Sequence, residues 1–319
     1  MIKELKAVEF KGSIEQDEDI SAIASFGNFL ALGSDESKRK IQILENVNAS
    51  YQVRDDLTIE LPVLSQNEGQ EIDIEGMAIS KDNTLFVIGS HSLKRSKVKA
   101  SKTYLENRNR IARVISEERK NSIFKLTLDP QTGQEQTTET RQIINIKEIL
   151  AEDSILGRFM QIPSKENGID IEGIAADGNT LYIGFRGPVL RLNYVPVMVL
   201  EDYQSLEYEM RFVNLRGNGI RDLTKVNDGF LIIAGAVGDG LNPYQIYFWN
   251  GLDTIPGVDK QQEAQLTLLG EIPTPDGAKA EGIAVLAETC STYQVMIVYD
   301  GLPCGAPKLF QVTKPALLE

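Results

Sequence analysis

Asp73-Ile74-Glu75-Gly76-Met77-Ala78, Asp170-Ile171-Glu172-Gly173-Ile174-Ala175 and Ala280-Glu281-Gly282-Ile283-Ala284 are three near-copies of one phrase. Each is followed by a turn and an apolar run: Thr84 to Gly89, Thr180 to Gly184, and Tyr293 to Asp300. Two weaker copies emerge in the same frame. Asp19 to Ala24 precedes Phe29 to Gly33, and Ile220 to Thr224 precedes Gly229 to Gly235. The aligned starts are 19, 73, 170, 219 and 279, so the spacings are 54, 97, 49 and 60 residues. A period of roughly 40–50 residues is that of a four-stranded propeller blade. The long gap must hold an insertion or a degenerate extra blade.

Most segments alternate with period two or are short apolar runs bounded by Gly, Asn and Asp, and both patterns read as strands. The reading gives strands near 19–25, 29–34, 40–46 and 51–60 in repeat one, and near 74–80, 84–90, 122–128 and 137–145 in repeat two. Repeat three gives 171–176, 180–185, 188–193 and 208–215, and repeat four gives 220–226, 229–235, 244–249 and 264–271. Repeat five has only 281–287, 293–299 and 307–313, so Glu4 to Lys11 is expected to supply its fourth strand. That closure joins the chain ends in one blade and removes a free sheet edge. The fold expected is all-β: one β-propeller domain over 1–319, with five blades of four strands. A six-bladed ring is the alternative.

The chain has 319 residues, 42% of them hydrophobic and 25% charged, enough for a large core. Its net charge of −13 argues against nucleic acid or an anionic membrane as a general partner. The first ten residues lack an apolar signal core, no apolar run is long enough for a membrane helix, and only two cysteines occur. A cytoplasmic protein is expected. Cys290 and Cys304 fall at opposite ends of a strand of about eight residues, roughly 26 Å, whereas disulfide partners need α-carbons within roughly 7 Å. Two free thiols follow.

Two insertions interrupt the repeat. Residues 92–121 hold ten Lys or Arg and three Glu, a net +7 that leaves −20 for the rest. Within them, Tyr104 to Arg119 carries apolar residues at helical spacing. Residues 147–169 read as a short helix, Lys147 to Ala151, and an irregular loop. The first insertion is a strand-two-to-three loop and the second joins blades. In a propeller both lie on the face where each inner strand begins, and loops on one face are where function sits.

On that face the repeat makes a ring. The Glu slot holds Ser21, Glu75, Glu172, Arg221 and Glu281, and the acidic slot before it holds Asp19, Asp73, Asp170, Gly219 and Lys279. The ends of the second strands add Asp35, His91, Arg186, Ala236 and Asp300. Crowded carboxylates need a cation, a shared proton or an arginine. Glu75, Glu172 and Glu281 are therefore candidate ligands of a divalent cation (calcium, magnesium or manganese). His91, the one histidine, is a candidate proton shuttle. Arg186 is a candidate anion clamp, and Arg221 supplies charge beside it. The same residues also suit folding: an Asp can cap a loop, and a Glu can tie neighbouring blades. The basic insertion offers an anionic ligand or an acidic protein partner a place to dock.

The phrases at 73–78 and 170–175, with Gly184-Phe185-Arg186-Gly187-Pro188 and the Ala-Glu-Gly-Ile of 280–283, resemble an uncharacterised bacterial propeller family of unknown function. They are more distantly similar to the phytase-like esterase propellers, which share the Glu-Gly phrase. The resemblance spans nearly the whole chain and implies a propeller with an axial acidic site. It also implies hydrolysis of phosphate or other esters, with Glu75, Glu172 and Glu281 as the matching positions; Ser21 and Arg221 depart from Glu. Two functions stand side by side. One is a small-anion-binding, metal-dependent ester or phosphoester hydrolase; the other is a non-catalytic propeller that docks a ligand or protein.

Overall fold

Each copy of the repeated phrase forms the innermost strand of one blade. The computed structural model describes residues 1–36, 39–62, 72–240 and 242–316. Among them the inner strands are Ile20–Phe26, Ile74–Ile79, Asp170–Asp177, Gly219–Val226 and Lys279–Glu288. Each pairs antiparallel with the strand after its turn; two further strands complete the sheets of blades two to five, and the sheet of blade one holds six strands. The inner strands of successive blades pack on one another, and the fifth packs back on the first. The result is a five-bladed β-propeller; the six-bladed alternative is set aside.

Almost every side chain on the second strands is buried, because both faces are covered by neighbouring blades. The apolar residues between blades form the clusters that hold the ring, such as Leu85, Val87 and Phe124 between blades one and two. Phe248, Tyr293 and Phe310 do the same between blades four and five.

The ring closes as the sequence implies. Ile2–Ala7 pairs antiparallel with Lys308–Thr313, giving blade five its outer strand. The chain then crosses to blade one, where Phe10–Lys11 pairs in parallel with Tyr51 and Gln52. The N-terminus thus binds both sides of the seam.

Three strands differ from the sequence reading. In blade two the segment 137–145 is a 3-10 turn at Thr138–Thr140 followed by the short strand Gln142–Ile144. In blade one the segment 51–60 is split into Ser50–Val53 and Ile59–Glu60 around a 3-10 turn at Asp55–Leu57. In blade three the third strand is Tyr194–Asp202, not 188–193. Residues 188–193 follow a cis Gly187–Pro188 bond, and Leu192 and Asn193 take left-handed φ of 64° and 65°. Pro196 falls where this strand has run past strand two, whose pairing covers only Val197 to Leu200, so its missing N–H matters less.

Both insertions carry regular structure. Strands two and three of blade two extend past the ring as a stem, Leu93–Arg95 paired with Val114–Ser116. A helix, Tyr104–Ala112, caps it. Thr103 and Glu106 form a reciprocal capping box: Glu106 N–H donates to Thr103 Oγ1 at 3.2 Å and Thr103 N–H to Glu106 Oε2 at 2.8 Å. The second insertion contains the helix Lys147–Glu152. Arg95 reaches across to Glu166, with 2.9 Å between Nη2 and Oε2, and ties the two together. Among the described residues no helix is long and apolar enough to cross a membrane. Both cysteines are free.

Candidate functional site at the channel mouth

The Glu slot is a β-bulge in all five blades. Ile20 pairs with Ser34 and Ala22 with Gly33, which leaves Ser21 as the extra residue. The same skip isolates Glu75, Glu172, Arg221 and Glu281. A bulge frees one residue from the ladder and re-aims its side chain. Here it turns five side chains toward the axis at one end of the channel. A further bulge in strand two of blade three, between Gly187 and Phe185, does the same for Arg186.

Glycine follows Glu in three copies because the next blade is too close for a side chain. A Cβ on Gly76 would lie 3.1 Å from the Glu172 carbonyl oxygen, and one on Gly173 would lie 3.0 Å from Leu223 N. In blade four this slot holds Asp222 instead. Its buried carboxylate accepts the N–H groups of Leu223 and Ile283, each at 2.7 Å, so it ties blade four to blade five. Ser21 plays a similar part in blade one, donating to the Ile74 carbonyl of blade two at 2.5 Å.

The ring divides into two halves. In blades three to five Asp170, Glu172, Glu281 and Asp300 each have a cationic partner. Arg186 contacts Asp170 and, at 2.5 Å, Glu172. Arg221 Nε lies 2.9 Å from the other Glu172 oxygen, and its Nη2 contacts Glu281. Lys279 contacts Asp300 and lies 3.9 Å from Glu281. Burial pushes Asp170 up to about 7, against the pull of Arg186.

On the side of blades one and two, compensation fails. Asp73 is held by Lys120 at 2.8 Å, and Lys120 is shared with Glu117 at 3.2 Å. Glu75 has neither an ion pair nor a hydrogen bond among the described residues. It is enclosed by protein yet reached by solvent along the channel. Burial raises its carboxyl well above the ordinary range, and Asp73, Glu172, Asp35 and Asp170 raise it further. Asp35 likewise has one carboxylate oxygen buried without a partner. Burial first, then Asp73, Asp300 and other acids, pushes it up to about 7. Sequence reasoning placed Asp35 at the mouth but gave it no role; its signal was its position at the end of a second strand.

Of the six residues singled out from sequence, five meet around the mouth and one does not. Glu75, Glu172, Glu281, Arg186 and Arg221 share one network of contacts and charges. His91 is withdrawn from it. The ring is 4% exposed, Nδ1 lies 2.8 Å from the Gly89 carbonyl oxygen, and Nε2 is buried without a partner. Burial lowers its pKa to about 4, and the nearby charge that acts on it is Lys147, not a mouth carboxylate. A buried ring whose pKa is held low is poorly placed to shuttle protons near pH 7. Both guanidinium groups contact carboxylates, Arg186 through Nη1 and Nη2 and Arg221 through Nε and Nη2, while Arg186 Nε is buried without a hydrogen-bond partner.

Among the described residues, no three His, Cys, Asp or Glu are assembled as a metal cage. Glu172 and Glu281, expected as ligands, are instead engaged with Arg221; Glu75 alone of the three has no cation.

Among solved structures the chain is similar to an exo-β-1,3-galactanase from Phanerochaete chrysosporium, at 10% identity over 97% of this chain and a TM-score of 0.48. It spans 63% of that protein's length. It is also similar to Sqt1 from Saccharomyces cerevisiae, at 8% identity, over 97% of this chain and 99% of that one, with a TM-score of 0.33. No curated protein matches. One family profile matches residues 19–305, from the start of blade one to the last 3-10 turn: the chain belongs to the family described as protein of unknown function (DUF3616).

Proposed function

We propose that the channel mouth binds a divalent cation at Glu75, with Asp35 and Asp73 beside it, and holds a small anionic ligand through that cation. The observation that supports this reading is the divided ring. Glu172, Glu281 and Asp170 have cationic partners, whereas Glu75 and Asp35 face other carboxylates with none. Closely placed, poorly solvated carboxylates ionise together only when a cation joins them.

The donor set also bears on which ion fits. Without a cage of three or more side chains, a cation must keep other oxygens around it. Magnesium does this, taking one or two carboxylates and completing its shell with water and ligand oxygens. When bound, such an ion would polarise an ester or phosphoester oxygen, and hydrolysis of that bond is the reaction class proposed. The chain's own contribution is positional. Arg186 and Arg221 fix Glu172 as the wall of the site, and Lys120 fixes Asp73. Glu75 holds a proton when alone and gives it up as a cation arrives.

Calorimetry with magnesium, calcium and manganese, in two buffers of different ionisation heat, tests this. The wild type is expected to bind at least one ion with release of protons, and Glu75→Gln to bind it about tenfold more weakly or worse, a loss of roughly 1.4 kcal/mol. A wild type that binds none of them, and turns over no ester or phosphoester in their presence, would discard the reading. A second reading, a propeller that works by docking, is favoured by one specific feature: the exposed, apolar and basic arm at 92–121.

A further inference from the structure

The arm at 92–121 is folded but uncovered. Its helix buries none of its residues. Val98, Tyr104, Leu105, Ile111 and Val114 are 40–78% exposed, and they make up five of the twelve large apolar side chains left exposed among the described residues. Between them stand Lys99, Arg108 and Arg113, all exposed and, among the described residues, without an ion pair. A stem strapped to Glu166 and a helix with a full capping box hold this surface in a fixed shape. A rigid surface of this kind is built to meet something.

The opposite edge of the same face is its complement. Asp17, Glu18 and Glu36 lie beside the starts and ends of the blade-one strands, where the ring closes on blade five. No salt bridge engages them among the described residues. The loop that carries them rests on blade five, with Gly301 N–H donating to the Glu18 carbonyl at 2.7 Å and Gly305 N–H to that of Asp17 at 3.1 Å. Half-buried Leu302 and exposed Pro303 form a small apolar shelf next to it. The basic arm thus stands over blades two and three, and the acidic rim over blades five and one.

We infer that this face binds a second copy of the chain, the arm of each protomer docking on the acidic rim of the other. Two such faces, turned toward each other about a two-fold axis, bring arm to rim twice in one closed contact. An extended anionic surface such as a membrane fits less well, because it would attract the arm and repel the rim on the same face. The body outside the arm carries −20, so another copy is an acidic partner by composition. The apolar side chains supply the contact area, and the charges set its register. None of the arm and rim residues belongs to the proposed cation site.

Sedimentation velocity at about 50 mM and about 500 mM salt tests it. The wild type is expected to dimerise at low salt and weaken about tenfold at high salt. The arm variant Arg108→Glu/Arg113→Glu and the rim variant Glu18→Lys/Glu36→Lys should each be monomeric and melt like the wild type. Mixed together they should form a dimer, because both arm–rim contacts are then restored. A wild type that stays monomeric at low salt would overturn the proposal. So would variants that still dimerise alone, or a mixture that does not. An arm variant that loses binding to phosphatidylserine vesicles, with self-association unchanged, would reassign the surface to lipid.

Discussion

Residue by residue, the mouth is governed by which acids have partners. Arg221 departs from the repeated Glu because it bridges Glu172 and Glu281, which without it would be buried charges with too little compensation. Asp35 has no such partner, and this gives stability a sign with pH. Its folded pKa is about 7 against an ordinary 3.8. A raised carboxyl favours the fold only while protonated. Its ionisation therefore costs nothing below about pH 4 and costs progressively more as pH rises to about 7. Asp35→Asn removes that charge. The variant should match the wild type near pH 4 and exceed it at pH 8 by about 2–4 kcal/mol, the range set by a shift of about three units less what channel water screens. Melting curves from pH 4 to 8 check this, and parallel profiles would contradict it. The acids at the mouth were legible in sequence from the repeat alone. Which of them lacked a cation was not, because pairing depends on bulges in neighbouring strands. His91 shows the same limit: its place at the end of a second strand was legible, but the burial of its side chain was not.

Among the elements, the inner strand carries most of the design. Its repeated Glu-Gly is a bulge followed by a close approach. The bulge points the first residue at the axis, and the glycine lets the next blade's backbone come near. Gly173→Ala should therefore separate blades three and four, since the new Cβ would sit 3.0 Å from Leu223 N. Overpacking of this kind costs roughly 1–3 kcal/mol, and a chain of this size should lose about 2–4 °C of melting temperature per kcal/mol. Gly240→Ala, with its nearest neighbour 3.7 Å away, should leave the melting temperature unchanged. Equal effects of the two substitutions would show that the repeated glycine serves some other end. Strand positions were readable where burial on both faces produced apolar runs. The third strand of blade three escaped because Pro196 argues against a strand, while the apolar Val189, Leu190 and Leu192 imitate one. Only the pairing shows that Pro196 lies past the end of strand two and is laddered on one side alone, opposite Phe212.

At the scale of the whole molecule, the ring stands or falls at its seam. The seam was visible in sequence as a missing strand in the last repeat and a spare one at the start. The crossing of Phe10 and Lys11 to blade one was not visible, because two residues carry no periodic signal. In the fold the N-terminal segment does two jobs. Ile2 pairs with Val312 and packs on the cluster between blades four and five, while Phe10 is buried edge-on against Tyr51 at a centroid distance of 6.1 Å. Val8 N–H also donates to the Pro307 carbonyl at 2.8 Å, and Tyr51 N–H to that of Glu9 at 3.0 Å. Deleting residues 1–12 removes both anchors and leaves Lys308–Thr313 as an open edge. Buried Phe10 is worth roughly 1.5–3 kcal/mol and half-buried Ile2 about 1 kcal/mol. Their loss should lower the melting temperature by roughly 10 °C, given about 2–4 °C per kcal/mol at this size. The bared strand should also promote association through its unpaired backbone groups. This association would differ from the arm–rim dimer in being insensitive to salt. Scanning calorimetry and light scattering on the truncated chain measure both effects. A truncated protein that melts with the full chain and stays dispersed would mean that the inner strands alone hold the ring closed.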